Sequence, residues 1–187
     1  MNEGNIVTMQ RQLIGLTGGA GTGKSTLASF LIDDGYVECQ MASGVKTIVS
    51  GIVPAFTREI LEGSDASTRV LKETLIDPVT GWTPRKAMQT VATMFREYDQ
   101  DFWMKQAECR IRGMLDAGES VVVPDIRFRN EFDMVRRLGG KVYLLTRDGS
   151  PIVDKGHISE RSFAEFTDEV DGTFDLFRLN FEQLRQL

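Results

Sequence analysis

The sequence predicts an α/β fold: a three-layer sandwich around a central parallel sheet of about five strands, carrying a large helical insertion. Three observations lead there. The apolar run Leu13-Ile14-Gly15-Leu16 passes through the glycine-rich stretch Gly18 to Ser25 into the helix-like Thr26-Leu27-Ala28-Ser29-Phe30-Leu31, a strand, loop and helix in sequence. Two later apolar runs, Ser120 to Val123 and Lys141 to Leu145, stop at polar residues and flank a segment of helical period. The long interval before them reads mainly as helices.

In chain order, strand one is expected at Gln12 to Thr17, with its helix from Lys24 to about Asp33. After the Asp34-Gly35 turn, Tyr36 to Gln40 reads as a second strand. Helices are then expected at Ala42 to Val49, Thr57 to Glu62, Pro84 to Tyr98 and Asp101 to Ala117. Breaks fall at Gly63-Ser64-Asp65 and at Pro78-Val79-Thr80-Gly81. Pro84 suits the first helical position with Thr83 as its cap. Beyond strand three, Phe132, Val135 and Leu138 mark a helix from Asn130 to Leu138, and Gly139-Gly140 stops it. A last strand is expected at Phe174 to Arg178, then a helix from Asn180 to Leu187 with Asn180 as N-cap. The whole is expected to be a single domain over 1–187, with the helical insertion at about 42–118.

The 187 residues, 41% of them hydrophobic, suffice for one complete α/β core and not for two independent ones. A net charge of -5 argues against a dedicated nucleic-acid binder, which presents a basic footprint. Cys39 and Cys109 make neither a disulfide framework nor a metal cluster, and both are expected to be buried or partly buried thiols. No apolar run approaches a membrane span and the first residues lack an export pattern, so a cytoplasmic enzyme without a stable nucleic-acid or membrane partner is expected. A homodimer is compatible with this size, but the sequence marks no interface.

Gly18-Gly19-Ala20-Gly21-Thr22-Gly23-Lys24-Ser25 satisfies the Walker A pattern, in the context that gives the pattern meaning. Glycines let the backbone turn tightly and aim its N–H groups inward, and the amides opening the next helix favour an anion. Lys24 is a point charge suited to the β- and γ-phosphates, and the Ser25 hydroxyl is placed to ligate Mg²⁺. Thr26 helps fix the loop. A plain glycine turn beside an incidental Lys-Ser pair is the bland alternative, and glycine, lysine and hydroxyl falling in register argue against it.

Two further groups are candidates for chemistry. Arg85, Gln89 and Thr93 recur every four residues and form a polar ladder on one helix face, beside Met88, Val91, Ala92 and Phe95. A solvated face is its ordinary explanation; its place in a long insertion after a Walker A unit favours a nucleotide. Asp125 follows the valine strand at the edge where open α/β sheets bind ligands, and Arg127, two residues on, has a planar fork suited to phosphate oxygens. A structural Asp125–arginine pair is the alternative. Arg129 could instead open the next helix and face water.

These landmarks resemble the bacteriophage deoxynucleoside monophosphate kinase family, a branch of the P-loop nucleoside and nucleotide kinases. The resemblance rests on Ile14 through Ser25, Met41 to Lys46, Thr83-Pro84-Arg85 with Gln89 and Thr93, and Asp101-Phe102-Trp103. It continues through Val123-Pro124-Asp125-Ile126-Arg127-Phe128-Arg129-Asn130-Glu131, Leu138-Gly139-Gly140, His157-Ile158-Ser159-Glu160, and Asn180 with Leu184. It implies transfer of the γ-phosphoryl group of ATP, with Mg²⁺, to a deoxynucleoside 5′-monophosphate. By the same resemblance Gly18 to Thr26 hold the donor, and Lys24, Asp125, Arg127 and Arg147 serve the transfer. Lys46, Arg85, Gln89, Thr93 and Arg127 belong to the acceptor side. It also implies a lid over about 147–165, where Arg147 or Arg161 would approach the transferring group and His157 and Glu160 would organise lid or substrate; ordinary turn or lid packing is the alternative for the pair, and one histidine with one carboxylate does not make a zinc site. A phage-encoded enzyme would work in the host cytoplasm. Ser25 stands where related phage kinases often carry Asp, and Ala92 where a glycine is familiar.

Two other functions fit parts of the pattern. A dephospho-coenzyme A kinase shares the Leu-Thr-Gly-Gly opening and would need Asp125 as a base for a sugar hydroxyl. A nucleotide-dependent switch would bind ATP and a partner without transfer. The Arg85-Gln89-Thr93 ladder and Phe128 to Glu131 favour the monophosphate acceptor.

Overall fold

The computed structural model describes residues 12–147 and 162–175. Five strands, β1 (Leu13–Thr17), β2 (Tyr36–Glu38), β3 (Ser120–Val123), β4 (Lys141–Thr146) and β5 (Gly172–Asp175), form one sheet in the order β2-β3-β1-β4-β5. All four pairings are parallel. The described helices are α1 (Lys24–Asp33), α2 (Ser43–Ile52), α3 (Arg58–Glu62), α4 (Ala66–Thr74), α5 (Pro84–Tyr98), α6 (Phe102–Asp116) and α7 (Arg129–Arg137), with a 3-10 helix at Ser162–Glu169.

Parallel strands covered on both faces read as unbroken apolar runs. All of β1 is buried, as are Val121 to Val123 of β3 and Val142 to Thr146 of β4. Leu13 lies opposite Val121 and Thr17 opposite Leu144, so β1, β3 and β4 emerge at one edge of the sheet. Ile14, Leu16, Leu27, Leu31, Val122, Tyr143 and Leu145 pack as one core between the sheet and α1. Elsewhere in the fold, α7 and the 3-10 helix meet through Phe132 and Phe166, stacked at 4.7 Å between centroids.

The chain divides into two compact units. Gln40–Cys109 forms one; the chain before and after it, which carries the sheet, forms the other. The helical unit has its own core of Val45, Val49, Val53, Phe56, Leu61, Ala87, Val91 and Trp103. Trp103 anchors it: its ring meets Phe95 and Phe102 at 5.0 Å each, and its indole N–H donates to the Ala92 carbonyl at 3.1 Å. Gly44 lets α2 pass that ring, since a Cβ there would lie 2.9 Å from it.

Most expected elements stand within a residue or two of their observed bounds, and Thr83 caps α5 by accepting from Lys86 N–H at 3.3 Å. Four expectations change. The last described strand begins at Gly172, before the expected start at Phe174, because Asp171 sets its register: the Asp171 N–H donates to the Val142 carbonyl and its carboxylate accepts from Val142 N–H, both at 2.8 Å; the expected continuation over 176–178 lies outside the described residues. β2 stops at Glu38, although Cys39 N–H still donates to Val122 O at 2.9 Å. Helix α4 was not expected at all. Cys109 is exposed, since the buried face of α6 is Trp103, Ala107 and Ile111, and Cys109 lies opposite it. The expected Asn180 cap and final helix lie outside the described residues. Among the described residues no helix is long and apolar enough to cross a membrane.

Candidate functional site

The loop between β1 and α1 adopts the geometry its glycines foretell. Gly18, Gly21 and Gly23 take φ of 130°, 77° and 93°, in the region L side chains avoid. Gly18 is also crowded: a Cβ there would lie 2.3 Å from the Leu145 carbonyl oxygen of β4. The loop is therefore pressed against the neighbouring strand, and only glycine fits. Its hydrogen bonds close it on itself, with Thr22 Oγ1 donating to Gly19 O at 2.9 Å, and Lys24 Nζ to Gly18 O at 2.7 Å and Gly19 O at 2.6 Å.

Helix α1 opens with left-handed Gly23, with no side chain capping it and no acidic residue in its first turn. The positive end of a helix with such a start is of the kind that favours an anion. Ser25 and Thr26 are exposed in this first turn, while Gly19 and Thr22 are buried in the loop.

The segment after β3 is tied to the same strand. Ile126 N–H donates to Leu16 O at 3.1 Å, and the buried Thr17 hydroxyl donates to Ile126 O at 2.9 Å. Gly15 makes room for this crossing, since the Ile126 side chain fills the space a Cβ would need. These bonds hold Asp125 and Arg127, both half-buried, at the edge where β1 runs into the glycine loop. Cys39, from the end of β2, lies within electrostatic reach of Asp125 and Arg110; burial pushes its thiol pKa up. Arg147 is exposed immediately after β4, two residues beyond the Leu145 that touches Gly18. Lys24, Ser25, Asp125, Arg127 and Arg147 thus share the carboxyl edge of the sheet, at the point where strand order reverses about β1.

Glu131 belongs to this cluster and has no role in the sequence reading. It is 4% exposed, and its Oε2 accepts from Arg127 N–H at 2.8 Å and Phe128 N–H at 3.1 Å. Phe128 cannot cap α7 with its own side chain, so Glu131 satisfies those amides and fixes the backbone that carries Arg127. The Glu three residues after a helix start was the available signal. Arg129 pairs with Glu169 at 2.5 Å and Asp133 at 2.9 Å over the Phe132 ring, and those carboxylates raise its pKa.

In the helical unit, Lys46 is buried and bonded to Gln40 and Glu62. Burial raises the Glu62 pKa, but Lys46 and Arg58 outweigh that and hold it below the ordinary value. Arg85 is exposed and clasps Glu73 of α4, Nε to Oε1 at 2.6 Å and Nη2 to Oε1 at 2.5 Å. Gln89 is half-buried and Thr93 exposed along the same helix. Lys72 of α4 lies within electrostatic reach of both Lys46 and Arg85, so the two expected acceptor cations share one neighbourhood. His157, Glu160 and Arg161 lie outside the described residues. Among the described residues no three His, Cys, Asp or Glu side chains gather as a metal cluster.

The family description deoxynucleotide monophosphate kinase matches residues 57–170, a span that begins after the glycine loop. Loop and match therefore support a kinase from separate parts of the chain. A protein of Acanthamoeba polyphaga mimivirus, described as "Putative deoxynucleotide monophosphate kinase", is 33% identical over 149 residues, covering 73% of this chain and 75% of that protein. This relative is viral, which widens the bacteriophage branch expected from the sequence to the family as a whole. The chain belongs to the deoxynucleotide monophosphate kinase family.

Proposed function

We propose that this chain transfers the γ-phosphoryl group of ATP to a deoxynucleoside 5′-monophosphate, releasing ADP and the diphosphate. The observation that carries the proposal is the joining of the Lys24 loop and the Asp125–Arg127 segment through Thr17 and Leu16 at the sheet's carboxyl edge. A loop built for phosphates gains an arginine and a carboxylate held by the same strand.

The acceptor's phosphate oxygen is already anionic and needs no protein nucleophile. Catalysis is then positioning and charge stabilisation. The glycine-loop amides and the start of α1 hold the donor's phosphates, with Gly18 to Thr26 as the cradle. Lys24 follows the γ-phosphoryl charge, and Arg127, fixed by Glu131, and Arg147 supply positive donors from the adjoining strand ends. Asp125 orients the cationic partners of the transfer. The hydroxyl of Ser25 and the carboxylate of Asp125, at the same edge of the sheet, are hard oxygen donors of the kind a small divalent cation takes, so these residues would hold Mg²⁺. Held there, the ion would supply positive charge against the donor's phosphates.

Lys46, Arg85, Gln89 and Thr93 take the acceptor in the helical unit. Arg85 meets its phosphate in place of Glu73, and Gln89 reads a base edge. Replacing Arg85 with Ala removes charged hydrogen bonds of about 1.5–3 kcal/mol, raising the acceptor KM roughly 10- to 100-fold with little change for ATP. Both comparisons name monophosphate kinases, which favours a phosphate acceptor over the sugar hydroxyl of dephospho-coenzyme A. The proposal is tested by supplying ATP with each deoxynucleoside monophosphate, each ribonucleotide counterpart and dephospho-coenzyme A, and separating products by mass. Deoxynucleoside diphosphates are expected; exclusive phosphorylation of dephospho-coenzyme A would overturn it.

A further inference from the structure

The helical unit contains more positive charge than the acceptor contacts above use. Lys46 of α2 and Arg58 of α3 share the Glu62 carboxylate, the second at 2.7 Å. Lys72, in the last turn of α4, bends its ammonium back onto the end of α3, donating to Leu61 O at 2.7 Å and reaching Glu62 O at 3.5 Å. Its neighbour Glu73 holds Arg85 of α5. Four cations from four helices are thus strung over two carboxylates, within a chain whose net charge is -5. An excess of about two positive charges, partly withdrawn from water, is unfavourable until an anion completes it.

We propose that Lys72 is the third cation, with Lys46 and Arg85, that grips the 5′-phosphate of the acceptor nucleotide. The inference rests on the reading of Arg85 as an acceptor contact. A phosphate monoester carries about two negative charges at pH 8, matching the excess. An ammonium has three donors, and the carbonyls of Leu61 and Glu62 take two, leaving the third for a ligand oxygen. The side chain is pre-positioned, because its stem lies along the α3–α4 junction and its head is fixed by main chain.

The same surroundings make this grip sensitive to pH. Burial, then Lys46 and Arg85, push the Lys72 pKa down to about 8, against the pull of Glu62 and Glu73. The charged groups facing it are Lys46, Arg85, Glu62 and Glu73, and Glu62 is held below its ordinary range. A dianion favours the charged ammonium, so acceptor binding draws a proton onto Lys72 and weakens as pH rises through about 8.

The test compares wild type, Lys72→Met and Lys72→Arg, using dAMP, dGMP, dCMP and dTMP between pH 7 and 9. It reads acceptor KM at saturating ATP, and calorimetric binding of the monophosphate alone in buffers of different ionisation enthalpy. In wild type the acceptor KM is expected to rise up to about tenfold over this range, with proton uptake at pH 8 and a flat KM for ATP. Lys72→Met raises the acceptor KM about tenfold at pH 7 and abolishes the uptake; Lys72→Arg keeps the low KM and flattens the profile. Unchanged acceptor KM and proton uptake in Lys72→Met, or an undiminished pH slope in Lys72→Arg, would overturn the proposal. Lys72→Arg decides it alone should Lys72→Met fail to fold. Binding with proton uptake but no transfer defeats the kinase reading and leaves the Lys72 grip standing, whereas absence of monophosphate binding defeats both.

Discussion

Lys24 holds two carbonyls of its own loop, at 2.7 and 2.6 Å, and in the proposed reaction it is the charge that follows the transferring phosphoryl group. The first role is worth about 1 kcal/mol per bond, the second several kcal/mol in a water-excluded site. Lys24→Met is therefore expected to cut transfer by about 10²–10³-fold or more while circular dichroism and the melting transition stay close to wild type. Glu131 acts at the same scale and is buried. Glu131→Ala strands the amides of Arg127 and Phe128, at about 1–3 kcal/mol, and is expected to lower both the melting temperature and kcat. Glu62 provides the pH-dependent case. Its folded pKa is below the ordinary value, so its stabilisation is present above about 4.5, where the unfolded group is also ionised, and is lost as pH falls through the folded pKa. Urea melts of wild type and Glu62→Gln should differ at pH 7 and converge in acid; a constant difference across that range would show that the ion pair contributes nothing.

Helix α4 illustrates what carries an element when hydrophobic periodicity does not. Its sequence, Ala-Ser-Thr-Arg-Val-Leu-Lys-Glu-Thr, is polar and rich in residues of middling helix propensity, and its only buried residue is Thr68. What starts it is a reciprocal cap: the Asp65 carboxylate accepts from Thr68 N–H at 2.9 Å, and Thr68 Oγ1 accepts from Asp65 N–H at 3.3 Å. Asp65→Ala is expected to cost about 1 kcal/mol and, because α4 carries Lys72 and Glu73, to weaken acceptor use more than ATP binding. Equal loss for both substrates would separate the helix from the acceptor. Asp65 before a Thr three residues on is a legible start signal, but α4 lacks the apolar spacing that marks the other helices. Strands β1, β3 and β4 were legible because parallel burial writes itself as consecutive apolar residues. The Arg85–Glu73 clasp was not, since it joins two helices that no periodicity relates. The place of β5 was hidden because Asp171, not the apolar residues after it, fixes the register.

Across the whole molecule, two groups of cations bear on the proposed reaction of an acidic chain: Lys24, Arg127 and Arg147 at the sheet's carboxyl edge, and Lys46, Arg58, Lys72 and Arg85 in the helical unit. The first group was readable from the glycine loop and the residues after β3, because each follows its strand directly in sequence. The second was half readable, Arg85 from its ladder with Gln89 and Thr93, Lys46 by resemblance and Lys72 not at all, because its setting depends on packing between α3 and α4. One phosphate-binding region would suffice for an ATPase; the proposed two-substrate transfer requires a second, for the acceptor. The most direct measurement is the rate of ADP formation with ATP and Mg²⁺, with and without deoxynucleoside monophosphate. The account predicts turnover that depends on the acceptor and yields one deoxynucleoside diphosphate per ADP. ADP formed at the same rate without acceptor would contradict it.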